Sequence, residues 1–444
     1  MSQSRQTNRR SFFKQVAAGG VAAPFFIRNL VSAPRSSTLR LASFGAGGMA
    51  YVTLDGIATH PGVTLACVAE VDSTRLAQVK KKYPGARLYE NWRQMLDKER
   101  KNIDIACVGT PDHMHAPMAM SAIQLGLHVY VQKPLTHDIY EARRLRAMAR
   151  KKKLVTQMGI QVHSSREYRT AVEVIRSGAI GKVKEVHSWS EKKWGDPDAL
   201  PDRADPIPAA LNWDQWLGVA EPRPYLSGYY HPSNWRKRID FGTATFGDMG
   251  CHILDPVFGS LQLTAPVAVR SEGPAPNQHS WALNAVIHYT FPGTPLTEGK
   301  TVQITWYDGD ERPPKEVQAL LGSRRLPGQG SIFIGTSGVM LLPHTAMPVL
   351  LPQEQFKDFA MPKMEAVNHY HQFVNAVLGK DKASAAFDYS GPLTEAVLLG
   401  PVATRFPKTT LEWNAGKMKF KNSPEASRLI RRKYRARWKV KGLS

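Results

Sequence analysis

From Leu39 onward, short apolar runs alternate with glycine- or proline-marked turns and with longer segments of helical periodicity. LRLASF leads into the turn GAGGMA and a helical pattern that reaches His60, and VTLACVAEVD, IDIACVGTPD and HVYVQKPLT repeat the arrangement up to about Met158. Such runs, bounded by turn residues, read as buried strands. Strands alternating with helices predict an α/β domain with a doubly wound parallel sheet over residues 39–158. Beyond it the rhythm changes. VKEVHSW, WALNAVIHYTF, TVQITWYDG and SIFIGTSGVMLL read as strands, predicting an α+β domain over 159–427 with a large, mostly antiparallel sheet covered on one face. Helical patterns return at NHYHQFVNAVLGK and LTEAVLLGPVATRF. The stretch from Trp194 to Gly242, rich in Pro, Trp and Tyr, reads as a long irregular loop, too polar and broken for core.

The turn after the first strand has the form G-x-G-x-x-A. Gly45 permits the tight turn, Gly47 lets the backbone approach a pyrophosphate, and Ala50 allows the helix to pack closely on the strand. Gly48 and Met49 complete the turn, where free N–H groups and the helix dipole favour a phosphate. Glu70, ending the second strand, stands where an acid bonds the adenosine ribose, which favours NAD; Arg75, Lys81 and Lys82 follow too closely to exclude NADP. Thr110 and Pro111 end one later strand, and Gln132, Lys133 and Pro134 end the next, on the same edge of the predicted sheet. With His115 they are the remaining cofactor-lining positions. His113 and His115 lie two apart, but no Cys or third His stands at ligand spacing, so no metal is expected.

The order GAGGMA, acidic strand end, TPDHMHA, VQKPL and finally GDMGCH resembles the glucose-fructose oxidoreductase and inositol dehydrogenase family, Gfo/Idh/MocA, across essentially the whole chain after Leu39. Gln132 replaces the family's commoner Glu before the Lys-Pro pair. The resemblance implies a Rossmann domain followed by a domain whose open sheet carries the substrate helix on one face and often pairs with another subunit on the other. A homo-oligomer is therefore expected, together with oxidation of a secondary hydroxyl on a sugar, sugar derivative or cyclitol.

Asp248 and His252 are four apart, so a helix would aim both at one face. Oxidising an alcohol requires a base for the hydroxyl proton, and histidine has the nearest pKa. An ammonium beside the same oxygen stabilises the developing alkoxide. The expected catalytic set is therefore Lys133 as electrostatic stabiliser, His252 as base, and Asp248 to orient it or hold a neighbouring hydroxyl. Tyr229, Tyr230, His231, Trp235 and Arg236 combine aromatic faces with hydroxyl-bonding groups suited to a pyranose. Gln161 and His163 resemble family positions that face the substrate.

Charge and the N-terminus alter this picture. The formal charge of +22 is concentrated at the ends, with five basic residues and no acid through Ala33 and eight and no acid from Arg428. The remaining body, at +9, does not read as a nucleic-acid binder. Cys67, Cys107 and Cys251 cannot form a disulfide framework. Arg9 and Arg10, followed by Phe12, Phe13 and a weakly apolar run to Ile27, read as a twin-arginine export signal over residues 1–33, too short to be a good membrane span. An exported nicotinamide enzyme must keep its cofactor and restore it each turnover, by dismutation or by transient oxidation that permits elimination, or else use an external electron acceptor. The basic arm 428–444 admits another reading, a polyanion- or envelope-binding protein with a vestigial dinucleotide fold.

Overall fold

The computed structural model describes residues 38–444; the segment 1–33, read above as an export signal, lies outside the described residues. Six parallel strands form the first sheet in the order β3-β2-β1-β4-β5-β6. They are β1 (Leu39–Phe44), β2 (Val63–Ala69), β3 (Arg87–Tyr89), β4 (Ile105–Val108), β5 (His128–Gln132) and β6 (Thr156–Gly159). Helices α1 (Met49–Ala58), α2 (Ser73–Lys82), α3 (Trp92–Glu99), α4 (His115–Gln124) and α5 (Ile139–Lys152) connect them. The chain runs from β1 outward to β2 on one side and from β4 outward on the other. The crevice at the carboxyl ends of β1 and β4 is thus a topological switch point, where open α/β sheets take their ligands. Buried residues on every central strand, among them Leu41, Phe44, Val108 and Val131, reflect helices on both sheet faces.

After α6 (Arg166–Arg176), the second sheet has nine strands in the order β13-β12-β11-β7-β10-β9-β8-β14-β15. Its strands are β7 (Val183–Ser190), β8 (Ala268–Ser271), β9 (Val286–Pro292), β10 (Thr301–Asp308), β11 (Gln329–Gly335), β12 (Val339–Pro343), β13 (Val349–Leu351), β14 (Thr410–Asn414) and β15 (Lys419–Phe420). Pairing is antiparallel except between β7 and β10. The run SIFIGTSGVMLL is not one strand: it folds into the hairpin of β11 and β12, because Thr336, Ser337 and Gly338 turn the chain. One face, with Val186, Trp306 and Phe333, shares a core with Val257 and Leu393 from the helices behind it. The opposite face, with Trp189, Tyr307, Ile332 and Leu341, packs with Val317 and Leu321.

Helix α11 (Phe387–Thr404), which follows α10 (His369–Val377), is buried along nearly its whole length between the two sheets. From it Glu395 accepts two hydrogen bonds of 2.6 Å from Arg143 on α5 and one of 2.9 Å from Trp413 on β14. One carboxylate thus ties a helix of the first domain to the second sheet.

The stretch from Trp194 to Gly242 is not the coreless loop its composition suggests. Leu211, Trp213, Trp216, Tyr225, Tyr229, Tyr230 and Phe241 form their own buried cluster, with Trp213 and Trp216 stacked at 4.8 Å. Aromatic density makes a small core from a segment whose polar residues conceal it. The cluster is pinned to the end of β2 by backbone hydrogen bonds from Ser73 to Ala210 and from Asn212 to Val71, each 2.9 Å.

The basic arm is also folded down. Tyr434 donates to Glu141, the Arg432 amide donates to Asp138 at 3.0 Å, and Trp438 lies under the guanidinium of Arg93 at 4.1 Å. All three cysteines are free and buried, and burial pushes their thiols up to about 12. Among the described residues no helix is long and apolar enough to cross a membrane.

If the arm is a structural element, replacing its buried Trp438 with Ala should destabilise the fold by about 3–5 kcal/mol, the usual cost of deleting a buried tryptophan side chain. Thermal unfolding reports this; an unchanged midpoint would mean that the arm is detached in solution.

Candidate active site

At the switch point the turn after β1 closes on Gly45, whose φ of +95° is poorly accessible to other residues. A Cβ at Gly109 would stand 2.7 Å from Ala50, so α1 sits directly against the end of β4. Gly48 precedes α1 without any side-chain cap, leaving the helix N-terminus open toward the crevice. Glu70 accepts from the amides of Ala46 (2.7 Å), Val71 (2.9 Å) and Asp72 (3.1 Å), and so fastens the glycine turn to β2. Burial raises its pKa, opposed by these N–H groups and by Arg75. A carboxylate has about four acceptor positions, so one is left for a ribose hydroxyl.

Arg75 lies against Gly47, paired with Asp72 at 3.3 Å and His231 at 3.2 Å, and is the basic residue of its stretch that reaches the crevice. Lys82 pairs instead with Asp55. His115 and Gln132 position the turns around them. The ring nitrogens of His115 face the carbonyls of Pro134 and Thr110, each at 2.7 Å, and join the ends of β4 and β5. Burial disfavours its cation, while two carbonyls at hydrogen-bond distance call for two ring N–H donors and favour it, so His115 acts as a bridge between the two turns. Gln132 donates to Thr53 on α1 at 2.8 Å. These residues fit a dinucleotide: an open helix end and glycine backbone for pyrophosphate, and a carboxylate at the ribose position.

The crevice continues into a cavity of about 460 Å³ that reaches the second domain. Here the chain after Thr245 makes one π turn (Phe246–Gly250) before entering α8 (Cys251–Ser260). The turn carries Asp248 and the helix His252, so the spacing of four spans a wider winding than the regular helix expected. Both residues still line the cavity with Lys133.

Lys133 donates to the Asp248 carboxylate at 2.8 Å and to the Asp248 carbonyl at 2.6 Å. Trp194 donates to the other carboxylate oxygen at 2.6 Å, and Arg236 approaches at 3.3 Å. Burial alone would raise the pKa of Asp248, but Lys133, Arg236 and the hydrogen bonds hold it well below the usual carboxylate range. An ammonium has three donors, and two are spent on Asp248. The third is available to a substrate oxygen.

His252 differs from expectation in one respect: Asp248 does not orient it. Its buried Nδ1 has no hydrogen-bond partner, because the Asp248 oxygens are taken by Lys133, Trp194 and Arg236. Burial, and then the positive charge of Lys133, push its pKa well below 6.5.

Of the proposed sugar contacts, Gln161, His231, Trp235 and Arg236 line the cavity, with Gln161 donating to Tyr370 at 3.1 Å. His163 does not: its Nδ1 pairs with Asp255 at 2.9 Å and it faces a separate cavity behind α8. The attraction between the two overrides position in the chain. Tyr229 and Tyr230 belong to the buried aromatic cluster, and Pro134 packs against the π turn rather than lining the cavity.

The cavity also holds residues not anticipated, chiefly Asp112, Gln215, Trp216 and His344. Burial pushes Asp112 up to about 6, against a 2.7 Å hydrogen bond from Thr243. His344, just past β12, has its ring centre 6.0 Å from that of His252. Its Nδ1 lies 2.7 Å from the buried hydroxyl of Tyr168, for which no other partner exists among the described residues. A buried hydroxyl proton must be placed somewhere. Tyr168 therefore donates, Nδ1 accepts, and the proton of neutral His344 sits on Nε2. No local pattern marks His344, since sheet topology alone brings it beside α8.

The fold and crevice define a dinucleotide-binding α/β protein with an open-sheet second domain. Residues 39–160 match the family model described as oxidoreductase family, NAD-binding Rossmann fold, and 178–310 match its C-terminal alpha/beta domain. The chain belongs to the Gfo/Idh/MocA oxidoreductase family, and its first domain is an NAD-binding domain. It is 30% identical over 152 residues, 34% of this chain and 45% of the relative, to a dTDP-3,4-didehydro-2,6-dideoxy-alpha-D-glucose 3-reductase of Streptomyces antibioticus. It is 26% identical over 160 residues, 34% of each chain, to an alpha-N-acetylgalactosaminidase of Shewanella oneidensis. The matched stretches span less than half the length of both relatives. In fold it is similar to the WlbA dehydrogenase of Chromobacterium violaceum, solved with NADH and UDP-GlcNAcA, with a TM-score of 0.61, 14% identity and coverage of 86% of this chain and 97% of that one.

Because burial and Lys133 both disfavour its cation, His252 should remain neutral as pH falls through 6.5. The histidine NMR signal lost in His252→Ala should show no titration between neutrality and pH 6. A midpoint at or above 6.5 would place His252 in a wetter or more acidic setting than this cavity provides.

Proposed function

We propose that the protein is an NAD-dependent oxidoreductase acting on a secondary hydroxyl of a sugar, sugar derivative or cyclitol, with its cofactor held through turnover. The observation that carries this reading is the convergence of Lys133, Asp248 and neutral His252 in the cavity continuous with the glycine turn and Glu70. NAD, when bound, supplies the hydride acceptor. The free donor of Lys133 binds the substrate oxygen, and its charge stabilises negative charge developing there. His252, neutral and facing the same cavity, takes the hydroxyl proton on its cavity-side nitrogen. Asp248 holds the ammonium in place, with Trp194 and Arg236 fixing the carboxylate in turn. The sugar-nucleotide reductase among the relatives supports this substrate class.

Non-redox glycoside cleavage by transient oxidation and elimination is the second reading. It requires additional proton handling at a neighbouring carbon and at the leaving oxygen. His344 and Asp112 in the same cavity favour it, as does the likeness to an alpha-N-acetylgalactosaminidase. The polyanion-binding reading loses the aromatic faces it called on, because Tyr434 and Trp438 are buried, and keeps only the exposed cations of the arm such as Lys433, Arg437 and Lys439. We further propose, as the family resemblance implies, association of copies through the second sheet, and export of the folded protein by the twin-arginine route.

Lys133→Met and His252→Ala should each slow single-turnover reduction of bound NAD by about two to four orders of magnitude, with the cofactor retained. A His252→Ala protein that reduces its NAD at the normal rate would pass the base role to Asp112 or His344. Protein from the periplasmic fraction, denatured without added nucleotide, should release NAD stoichiometrically, and Arg9→Lys with Arg10→Lys should remove it from that fraction. Nucleotide-free protein there would leave an ordinary exchanging dehydrogenase or a binding module.

A further inference from the structure

The basic arm leaves part of its charge unpaired. Between the arm and the body lies a second cavity of about 250 Å³, roughly half the size of the active-site cavity. Arg405, at the end of α11, contributes one guanidinium to its wall. It makes no hydrogen bond or ion pair with the described residues and rests near the ring of Trp281 at 5.2 Å. Arg432, on the arm, contributes another. It donates once, from Nη2 to the Asp240 carbonyl at 3.1 Å, while its Nε and Nη1 are buried without partners. His137 stands on the same wall. Its Nε2 donates to the Ile239 carbonyl at 2.9 Å, which leaves the buried Nδ1 as an unused acceptor.

The nearby carboxylates do not complete these groups. Asp138 is turned onto the backbone amides of Glu141 (2.9 Å) and Arg432 (3.0 Å), and Asp240 is engaged by Arg223. Buried guanidinium donors left unpaired, as on Arg432, are costly, and two guanidiniums on one cavity wall make it electropositive. A small, forked oxyanion satisfies both requirements together.

We propose that this cavity is an anion site for inorganic phosphate or the phosphate group of a small monoester, held by Arg405 and Arg432. Monohydrogen phosphate accepts from both guanidiniums and has one O–H to donate to His137 Nδ1, which sulfate lacks. The volume excludes a dinucleotide. The site lies behind the active centre: Thr243 borders it, and the same Thr243 hydroxyl donates to Asp112 in the catalytic cavity. Phosphate here pins the arm to the segment that leads into Asp248.

Titration calorimetry of the full chain, with its nucleotide in place and at constant ionic strength, tests this with inorganic phosphate, sulfate and a small phosphate monoester. Expected is saturable binding of one phosphate per chain, tighter than sulfate, and a melting temperature that rises with phosphate concentration. Tighter binding of the monoester than of inorganic phosphate would identify an organic ligand, and the reverse would identify the free ion. Arg405→Gln should weaken binding by about tenfold or more, the size expected for losing charge-assisted hydrogen bonds. That variant leaves every arm contact intact, so a loss of binding is not a loss of docking. Lys439→Gln, on the exposed side of the arm, should bind as wild type. Absence of saturation, or unchanged affinity in Arg405→Gln, would overturn the proposal, and neither result bears on the proposed oxidoreductase chemistry.

Discussion

The Lys133 and Asp248 ion pair is the interaction on which the active centre depends. It joins the end of a Rossmann strand to a π turn of the second domain, so the two domains meet as opposite charges in a space largely closed to water. A buried pair of this kind contributes little net stability, because desolvation offsets attraction, but removing one partner leaves an uncompensated charge. Its effect is positional. Trp194 and Arg236 bind the same carboxylate, which fixes the ammonium with one donor facing the cavity. Burial, reinforced by the same positive charge, depresses His252 and leaves it neutral.

Around that pair the molecule is organised to keep its two halves in register. Helix α11 runs between the sheets, with Glu395 receiving Arg143 from helix α5 of the first domain and Trp413 from the second sheet. The aromatic cluster within 194–242 is pinned to the end of β2 and brings His231, Gln215 and Trp216 to the cofactor crevice from the second domain. The arm returns to the Rossmann domain and buries Tyr434 against Glu141. Each of these links crosses between distant parts of the chain, and the aromatic segment also walls the crevice that the proposed function assigns to NAD. A cofactor enclosed in this way is consistent with chemistry that restores it at every turnover.

Much of this was legible in the chain. Buried parallel strands are continuous apolar runs, and a glycine turn between strand and helix has few other uses, so the first domain and its crevice could be read directly. The family pattern of Lys133, Asp248 and His252 was legible for the same reason: a short stretch of backbone carries each residue to a strand or helix end whose location follows from topology. Reading failed where long-range partners compete for a side chain. His163 sits beside Gln161 in the chain, yet Asp255 draws it into another cavity. Asp248 stands four residues before His252, but Lys133, Trp194 and Arg236 claim its oxygens.

Sequence by itself determined the alternating domain, the nucleotide turn and the residue types of the active centre, because these depend on local periodicity and on turns only glycine makes easily. Tertiary structure decided which of those residues touch. It brought His344 from a sheet edge to face His252, set its tautomer through Tyr168, and turned an apparently coreless loop into a packed wall. It also folded a basic tail onto the body and left two of its guanidinium nitrogens without partners. These outcomes depend on burial and on competition for hydrogen bonds between residues far apart in the chain, and no local pattern encodes either.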